Sequence, residues 1–451
     1  MAKSKSIYVC QQCGESSSKW QGQCPSCHEW DTLVESLITE KTSKLMTRQG
    51  YAGGEAKVLA LKDVALEDVP RFSSSFDEFD RVIGGGIVPG SVILIGGDPG
   101  IGKSSILLQI MTHLSQSYSA LYVTGEESLE QVALRAKRMN LPTDKLMMMS
   151  QTDVEAICAY IETHKPLVVV IDSIQTMQIP ALQSAAGGVS QVRESASMIT
   201  QMAKRMGSAV FLVGHVTKTG EVAGPRVLEH IVDTVIFLEG QTDGRYRMIR
   251  AMKNRFGAVN ELGVFAMTEK GMKEVKNPSA IFLNRAAEDI SGSVIVSLWE
   301  GTRPILVEIQ ALVNDNSYSQ PKRLAVGLDP NRLAMLLAII QRHLSIQLGE
   351  SDVFLNVVGG IKISETSTDL AIIAVIVSSL YNKPIPKSWI IQGEVGLSGE
   401  IRPVPYGQER LKEAQKHGFK KAVVPFENAP KKSIGIEVIG IRKLQELLDL
   451  L

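Results

Sequence analysis

The chain has 451 residues, 44% of them hydrophobic and 21% charged, the composition of a globular protein with room for two or three cores. Lys plus Arg equals Asp plus Glu at 48 each, so no global positive field draws the chain to nucleic acid, and contact with DNA needs a local basic lining. The first residues lack the apolar run of a signal peptide, and the longest apolar stretch, residues 370–377, is too short to span a bilayer. These features predict a cytoplasmic protein with reduced thiols and no membrane partner.

Four of the five cysteines lie at the start of the chain, as Cys10-x-x-Cys13 and Cys24-x-x-Cys27. Paired knuckles of this kind bring four thiolates to one tetrahedral point, which predicts a structural zinc site in residues 1–41. So short a segment buries little core, and metal binding would supply most of its folding energy. A redox pair needs a thioredoxin-like βαβ context, which is absent. The match of Cys24 to His28 with a haem attachment pattern belongs to exported proteins, and His28 is also an alternative zinc ligand. Residues 42–56 are rich in glycine without periodicity and read as a linker.

From residue 57 to about 280, strand-like and helix-like segments alternate, which predicts an α/β fold with a mainly parallel sheet. The apolar run 91–96 leads into Gly97-Asp98-Pro99-Gly100-Ile101-Gly102-Lys103-Ser104, the G-x-x-x-x-G-K-S phosphate loop, and helical spacing follows it. Residues Gly96 to Ser105 are the candidate ATP cradle: glycines let backbone amides turn inward, Lys103 reaches the β- and γ-phosphates, and Ser104 holds Mg²⁺. The strand 121–124 ends in Gly125-Glu126-Glu127-Ser128. The strand 167–172 ends at Asp172, placed to share the Mg²⁺ shell, and the strand 209–214 ends before His215. Glu126 is the candidate general base for water attack on the γ-phosphate, with Glu127 its competitor. Cys158, alone in a helical stretch, reads as a packed core residue.

Taken together, the segment Asp80-Arg-Val-Ile-Gly-Gly-Gly-Ile-Val-Pro-Gly90, the phosphate loop, Val123-Thr-Gly-Glu-Glu-Ser128 and Lys253-Asn254-Arg255-Phe256-Gly257 resemble the bacterial RadA (Sms) family, RecA-like recombination proteins. The four-cysteine start and the C-terminal region resemble it too, so the likeness covers essentially the whole chain. It implies a RecA-like P-loop ATPase core between a small four-cysteine zinc knuckle and an α+β Lon-protease-like domain at residues 281–451. It further implies a DNA-dependent ATPase that forms homo-hexameric rings on single-stranded and branched DNA and drives branch migration in recombinational repair, with RecA as a further partner. The loops 180–190 and 216–226 would then line the ring channel, with Lys218 and Arg226 contacting phosphate. Lys253 and Arg255 would reach across the subunit border to the neighbour's γ-phosphate. The rival from another class is an ATP-driven signalling or scaffold ring without motor action.

Beyond residue 281, segments 294–299 and 304–310 read as strands and 331–342 and 368–379 as helices. Alignment on Gly359-Gly360 and on Tyr406-Gly-Gln-Glu-Arg-Leu411 puts Ser367 at the serine position of Lon-type peptidases and Gln408 at the lysine position. Glutamine cannot act as a base, so the region is read as inactive in peptide cleavage. Lys322, Arg323, Arg332 and Lys362 are candidate phosphate contacts.

Overall fold

The computed structural model describes residues 5–10, 16–26, 28–38, 70–182, 184–215, 228–240, 244–279, 283, 289–315, 320–432 and 435–451. The chain divides into two compact units, Met1–Lys276 and Asn277–Leu451.

The first unit starts with a three-stranded antiparallel sheet, order β2-β1-β3, from β1 (Lys5–Cys10), β2 (Ser16–Ser17) and β3 (Leu33–Ile38). A nine-stranded sheet follows. Its parallel part comprises β4 (Val92–Gly97), β5 (Ala120–Thr124), β6 (Met147–Ser150), β7 (Val168–Asp172), β8 (Ala209–Val213) and β9 (Thr234–Glu239). Three further strands, β10 (Tyr246–Asn254), β11 (Leu262–Thr268) and β12 (Gly271–Glu274), extend it antiparallel, giving the order β12-β11-β10-β9-β4-β8-β7-β5-β6.

The chemistry of the strands follows their place. β4, β5, β7 and β8 are buried throughout and apolar up to the polar ends Thr124 of β5 and Asp172 of β7, as strands covered on both faces must be. β10 alternates buried and half-buried residues over 246–251, because only one of its faces meets a core. One face of the sheet packs on α1 (Asp77–Val82), α2 (Lys103–Leu114) and α3 (Leu129–Arg138), with Phe79, Ile106 and Val132 in that core. The other face packs on α4 (Val154–His164) and α5 (Val189–Met206) through Ile157, Ile161, Val192 and Ile199. Ser128 caps α3 in a reciprocal box with Gln131, so the chain leaves β5 and re-enters helix within four residues of Thr124. That tight exit places Glu126 and Glu127 at the carboxyl edge of the sheet.

The second unit holds a seven-stranded mixed sheet. Its strands are β13 (Ser293–Glu300), β14 (Arg303–Asp315), β15 (Arg323–Val326), β16 (Ser351–Val357), β17 (Trp389–Ile391), β20 (Lys421–Pro425) and β21 (Glu437–Ile441), in the order β15-β16-β14-β13-β17-β20-β21. The pair β18 (Glu394–Val395) and β19 (Ile401–Arg402) stands apart from it. The helices are α6 (Pro330–His343), α7 (Asp369–Leu380), α8 (Gly407–Lys416) and α9 (Leu444–Leu448). α7 is buried on all sides from Asp369 to Ser378, which explains an apolar run as dense as a membrane segment yet only half as long. Among the described residues no helix is long and apolar enough to cross a membrane.

Candidate nucleotide site

β4 ends at Gly97, and the chain then turns through Gly97, Gly100 and Gly102 at φ 144°, 75° and 114°. A Cβ on Gly97 would lie 2.5 Å from the Leu238 carbonyl oxygen, and one on Gly102 would lie 2.4 Å from Met272 Cε. Backbone conformation and space therefore both demand glycine at Gly97, and backbone conformation demands it at Gly102, where the methionine methyl could move aside. Pro99 and Gly100 are exposed and Asp98 is half-buried, and the loop closes onto the N-terminus of α2, where the amides and helix dipole favour an anion.

Lys103 is 4% exposed. Its Nζ donates to the carbonyls of Gly97 at 2.8 Å and Asp98 at 3.0 Å, and lies 3.4 Å from His215 Nδ1. Burial pulls its pKa down, and the charges of Asp172, Glu126 and Asp98 act in the opposite direction. Two carbonyls are weak partners for an ammonium, and a phosphate at the loop replaces them with full negative charge.

Asp172 ends β7 nearly buried and accepts hydrogen bonds from the Tyr122 hydroxyl and the Ser104 side chain. Burial raises its pKa, and these two bonds oppose the rise. A hydroxyl and a carboxylate in contact beside the phosphate loop form a hard oxygen set that fits Mg²⁺.

Glu126 accepts from Ser173 Oγ and from His215 Nε2, the latter at 3.0 and 3.2 Å to its two oxygens. The His215 ring thus bridges Lys103, on its Nδ1 side, and the Glu126 carboxylate, on its Nε2 side. The His215 bond is the main cause holding the Glu126 pKa below the usual carboxylate range, against burial. Glu127 is paired with Arg135, and its charge also acts on Asp172. Lys103, Glu126, Asp172 and His215 thus meet at one edge. Sequence reasoning placed His215 there without a role and missed Ser173 and Tyr122. The only signal was that each belongs to, or directly follows, a central strand.

The Lys253 to Gly257 motif lies elsewhere. Lys253 and Asn254 form the end of β10. Lys253 Nζ donates to the carbonyls of Glu229 and Val232, and burial lowers its pKa with help from the Arg255 charge. Arg255 Nη1 bonds the buried Asp233 at 3.1 Å, which also takes Lys204 at 3.2 Å. Asn254 ties the turn by accepting from the Phe256 amide at 3.0 Å. A Cβ on Gly84 would come within 2.7 Å of the Phe256 carbonyl oxygen, so the triple-glycine segment exists to let this motif dock. Lys253 is opposite Val235, and Val235 is opposite Leu94. Arg255 N bonds Asp233 O, and Asp233 N bonds Val92 O. Lys253 is therefore level with the middle of β4, three residues and about 10 Å from Gly97, and Arg255 is level with its start, five residues and about 17 Å away.

Other expected contacts divide. Lys218 and Arg226 lie outside the described residues. The loop 180–190 starts firmly rather than loosely: buried Gln191 accepts from the Ile179 amide and donates to the carbonyls of Ile179, Leu182 and Ser184. Lys322 and Arg323 are exposed, with Arg323 Nη2 donating to the Leu348 carbonyl at 3.2 Å, while Arg332 is bound by buried Asp369. Cys10 and Cys24 are fully buried in one small cluster with Leu33, which suits two members of a thiolate set. Cys13 and Cys27 lie outside the described residues. His28 points to solvent, which does not suit a ligand. Cys158 is buried in α4, and burial pushes its thiol up to about 12.

In the second unit, Ser367 is 2% exposed and its hydroxyl receives Arg410 Nη1 at 3.3 Å. Gln408 is not near it; its Nε2 donates to the Asn428 carbonyl at 2.8 Å. The side chain that occupies the expected lysine's place is Arg410, two positions on and about 200° around the helix. Arginine stays protonated, so it too is no base.

Residues 55–221 match the family model of an AAA domain, residues 8–35 that of a rubredoxin metal-binding domain, and residues 336–428 that of subunit ChlI of Mg-chelatase. Over the full length of both chains, the sequence is 58% identical to the DNA repair protein RadA of Pseudomonas aeruginosa. It is 55% identical to the protein of that name in Escherichia coli, covering 100% of this chain and 99% of the other. For Bacillus subtilis the identity is 45%, covering 99% of each.

Proposed function

The chain belongs to the RadA family, and from that premise we propose that it is a DNA-dependent ATPase of recombinational repair whose catalytic sites form between subunits of a homo-hexameric ring. It is an ATP hydrolase that uses ATP and Mg²⁺ and carries a zinc ribbon. In the proposed mechanism Lys103 leaves its two loop carbonyls for the β- and γ-phosphates, and Ser104 and Asp172 hold the metal. Mg²⁺, when bound, neutralises charge on the phosphate oxygens. Glu126, kept ionised by His215, orients and deprotonates the attacking water.

One observation carries the assembly. The phosphate loop lies at the carboxyl end of β4, whereas Lys253 is level with its middle and Arg255 with its start, two strands away, which supports a pair that serves a neighbour's nucleotide rather than its own. A head-to-tail neighbour brings the second end to the first and makes hydrolysis depend on ring contacts. Coupled loop movement along single-stranded DNA would then drive branch migration. The Lon-like unit, with Arg410 rather than a base against Ser367, serves assembly and DNA contact and does not cleave peptides.

The test is ATP turnover with and without single-stranded DNA, run beside casein degradation. DNA stimulation without proteolysis is expected. Full turnover without DNA would favour a signalling or scaffold ring, and casein cleavage would restore the peptidase.

A further inference from the structure

Arg247 is a cation on β10 that is only 3% exposed, and its position beside the phosphate loop has no counterpart in the roles described above. Its Nε donates to the Ile101 carbonyl at 3.1 Å. Its Nη1 donates to the carbonyls of Tyr246, at 3.0 Å, and Gly244. Ile101 is itself 1% exposed, so the bond is closed to water. On the same side, the methyl groups of Met272 and Met267 stand where a Gly102 side chain would be, at 2.4 and 3.1 Å from its Cβ. The antiparallel extension of the sheet is thus the back wall of the loop.

The peptide between Ile101 and Gly102 is planar and trans, so its C=O and N–H point in opposite directions. Arg247 draws the Ile101 oxygen backward into the wall. The Gly102 N–H therefore points the opposite way, away from the wall, and Gly102 reaches this orientation at φ 114°, which an L side chain rarely adopts. Preorganised backbone amides are what a phosphate loop offers an anion. We propose that Arg247 is a positioning residue for the nucleotide: by holding the Ile101 carbonyl from the neighbouring strand it aims the Gly102 amide at the β- and γ-phosphates. The inference rests on residues 96–105 being the phosphate loop.

Binding of the fluorescent analogue mant-ATP and steady-state ATP turnover are measured on full-length R247M, R247K and R247Q, with K103A alongside. R247M is expected to weaken mant-ATP binding and raise KM at least about tenfold, with kcat at saturating ATP within about threefold of wild type. R247K, which keeps a charged donor, is expected between wild type and R247M. A merely structural arginine would lower the melting temperature without this KM-against-kcat split or rescue. R247M within twofold of wild type in both affinity and KM overturns the proposal, as does an equal loss in R247K and R247M. If R247M does not fold, R247Q decides: weaker binding than R247K supports the role, and binding equal to wild type overturns it. Undiminished mant-ATP binding in K103A would instead sink the assignment of the loop itself.

Discussion

Lys103 and Arg410 are both buried cations set beside a serine and a glutamate, yet one centre is open to chemistry and the other is closed. Lys103 leans on two backbone carbonyls and lies beside the His215 ring, partners that a phosphate can displace. Arg410 has a fully buried side chain, and Glu365 holds it through both terminal guanidinium nitrogens at 3.0 and 2.6 Å. The carbonyls of Pro405 and Ser297 and the Ser367 hydroxyl take its remaining donors, and the Trp299 ring lies 5.9 Å away. A cation with exchangeable acceptors awaits a ligand, whereas one saturated by a carboxylate braces the fold. Residue types alone do not separate the two cases; the identity of the acceptors does.

The comparison breaks most readily at Arg410. R410A leaves the Glu365 carboxylate without its partner and is expected to cost about 3–5 kcal/mol in denaturant unfolding of the second unit. R410K should recover little of this, because an ammonium cannot make the two-pronged bond. A loss below about 1 kcal/mol would mean that the cluster is no brace. At the open centre the effect should fall on rate instead. E126Q is expected to bind ATP normally and hydrolyse it at least ~10²-fold more slowly, with an unchanged melting temperature. Unchanged turnover would pass the role to Glu127 or to another group.

Much of the nucleotide site was legible in the sequence because its parts are local. A phosphate loop between an apolar run and a helix, and acids directly after apolar runs, place Lys103, Glu126 and Asp172 without knowledge of strand order. What stayed hidden needed pairing across distant segments. Tyr122 reaches Asp172 only because β5 and β7 are neighbours in register. Gly84 and Phe256 touch because the antiparallel extension folds back, and no periodicity announces that. The error at Gln408 is of another kind: alignment by residue type carries no information about helix face, and Arg410 faces Ser367 where Gln408 does not.

Smaller effects sharpen the contrast further. S367A should change stability by less than about 1 kcal/mol, since the hydroxyl is one of several acceptors for Arg410. Chelation of zinc should change the emission of Trp20 and Trp30, both exposed on the ribbon, without abolishing ATP binding. The smallest expected signal is at Cys158. Its thiol, raised to about 12 by burial, should resist alkylation at neutral pH until the first unit is unfolded.

The decisive measurement is ATP turnover in rings assembled from K103A and K253A subunits. Each variant alone lacks one half of every site and should be nearly inactive. Mixed rings place the intact phosphate loop of K253A subunits against the intact Lys253 of K103A subunits, so turnover should return in proportion to such borders. Persistent inactivity in rings shown to contain both subunits would contradict a site shared between neighbours.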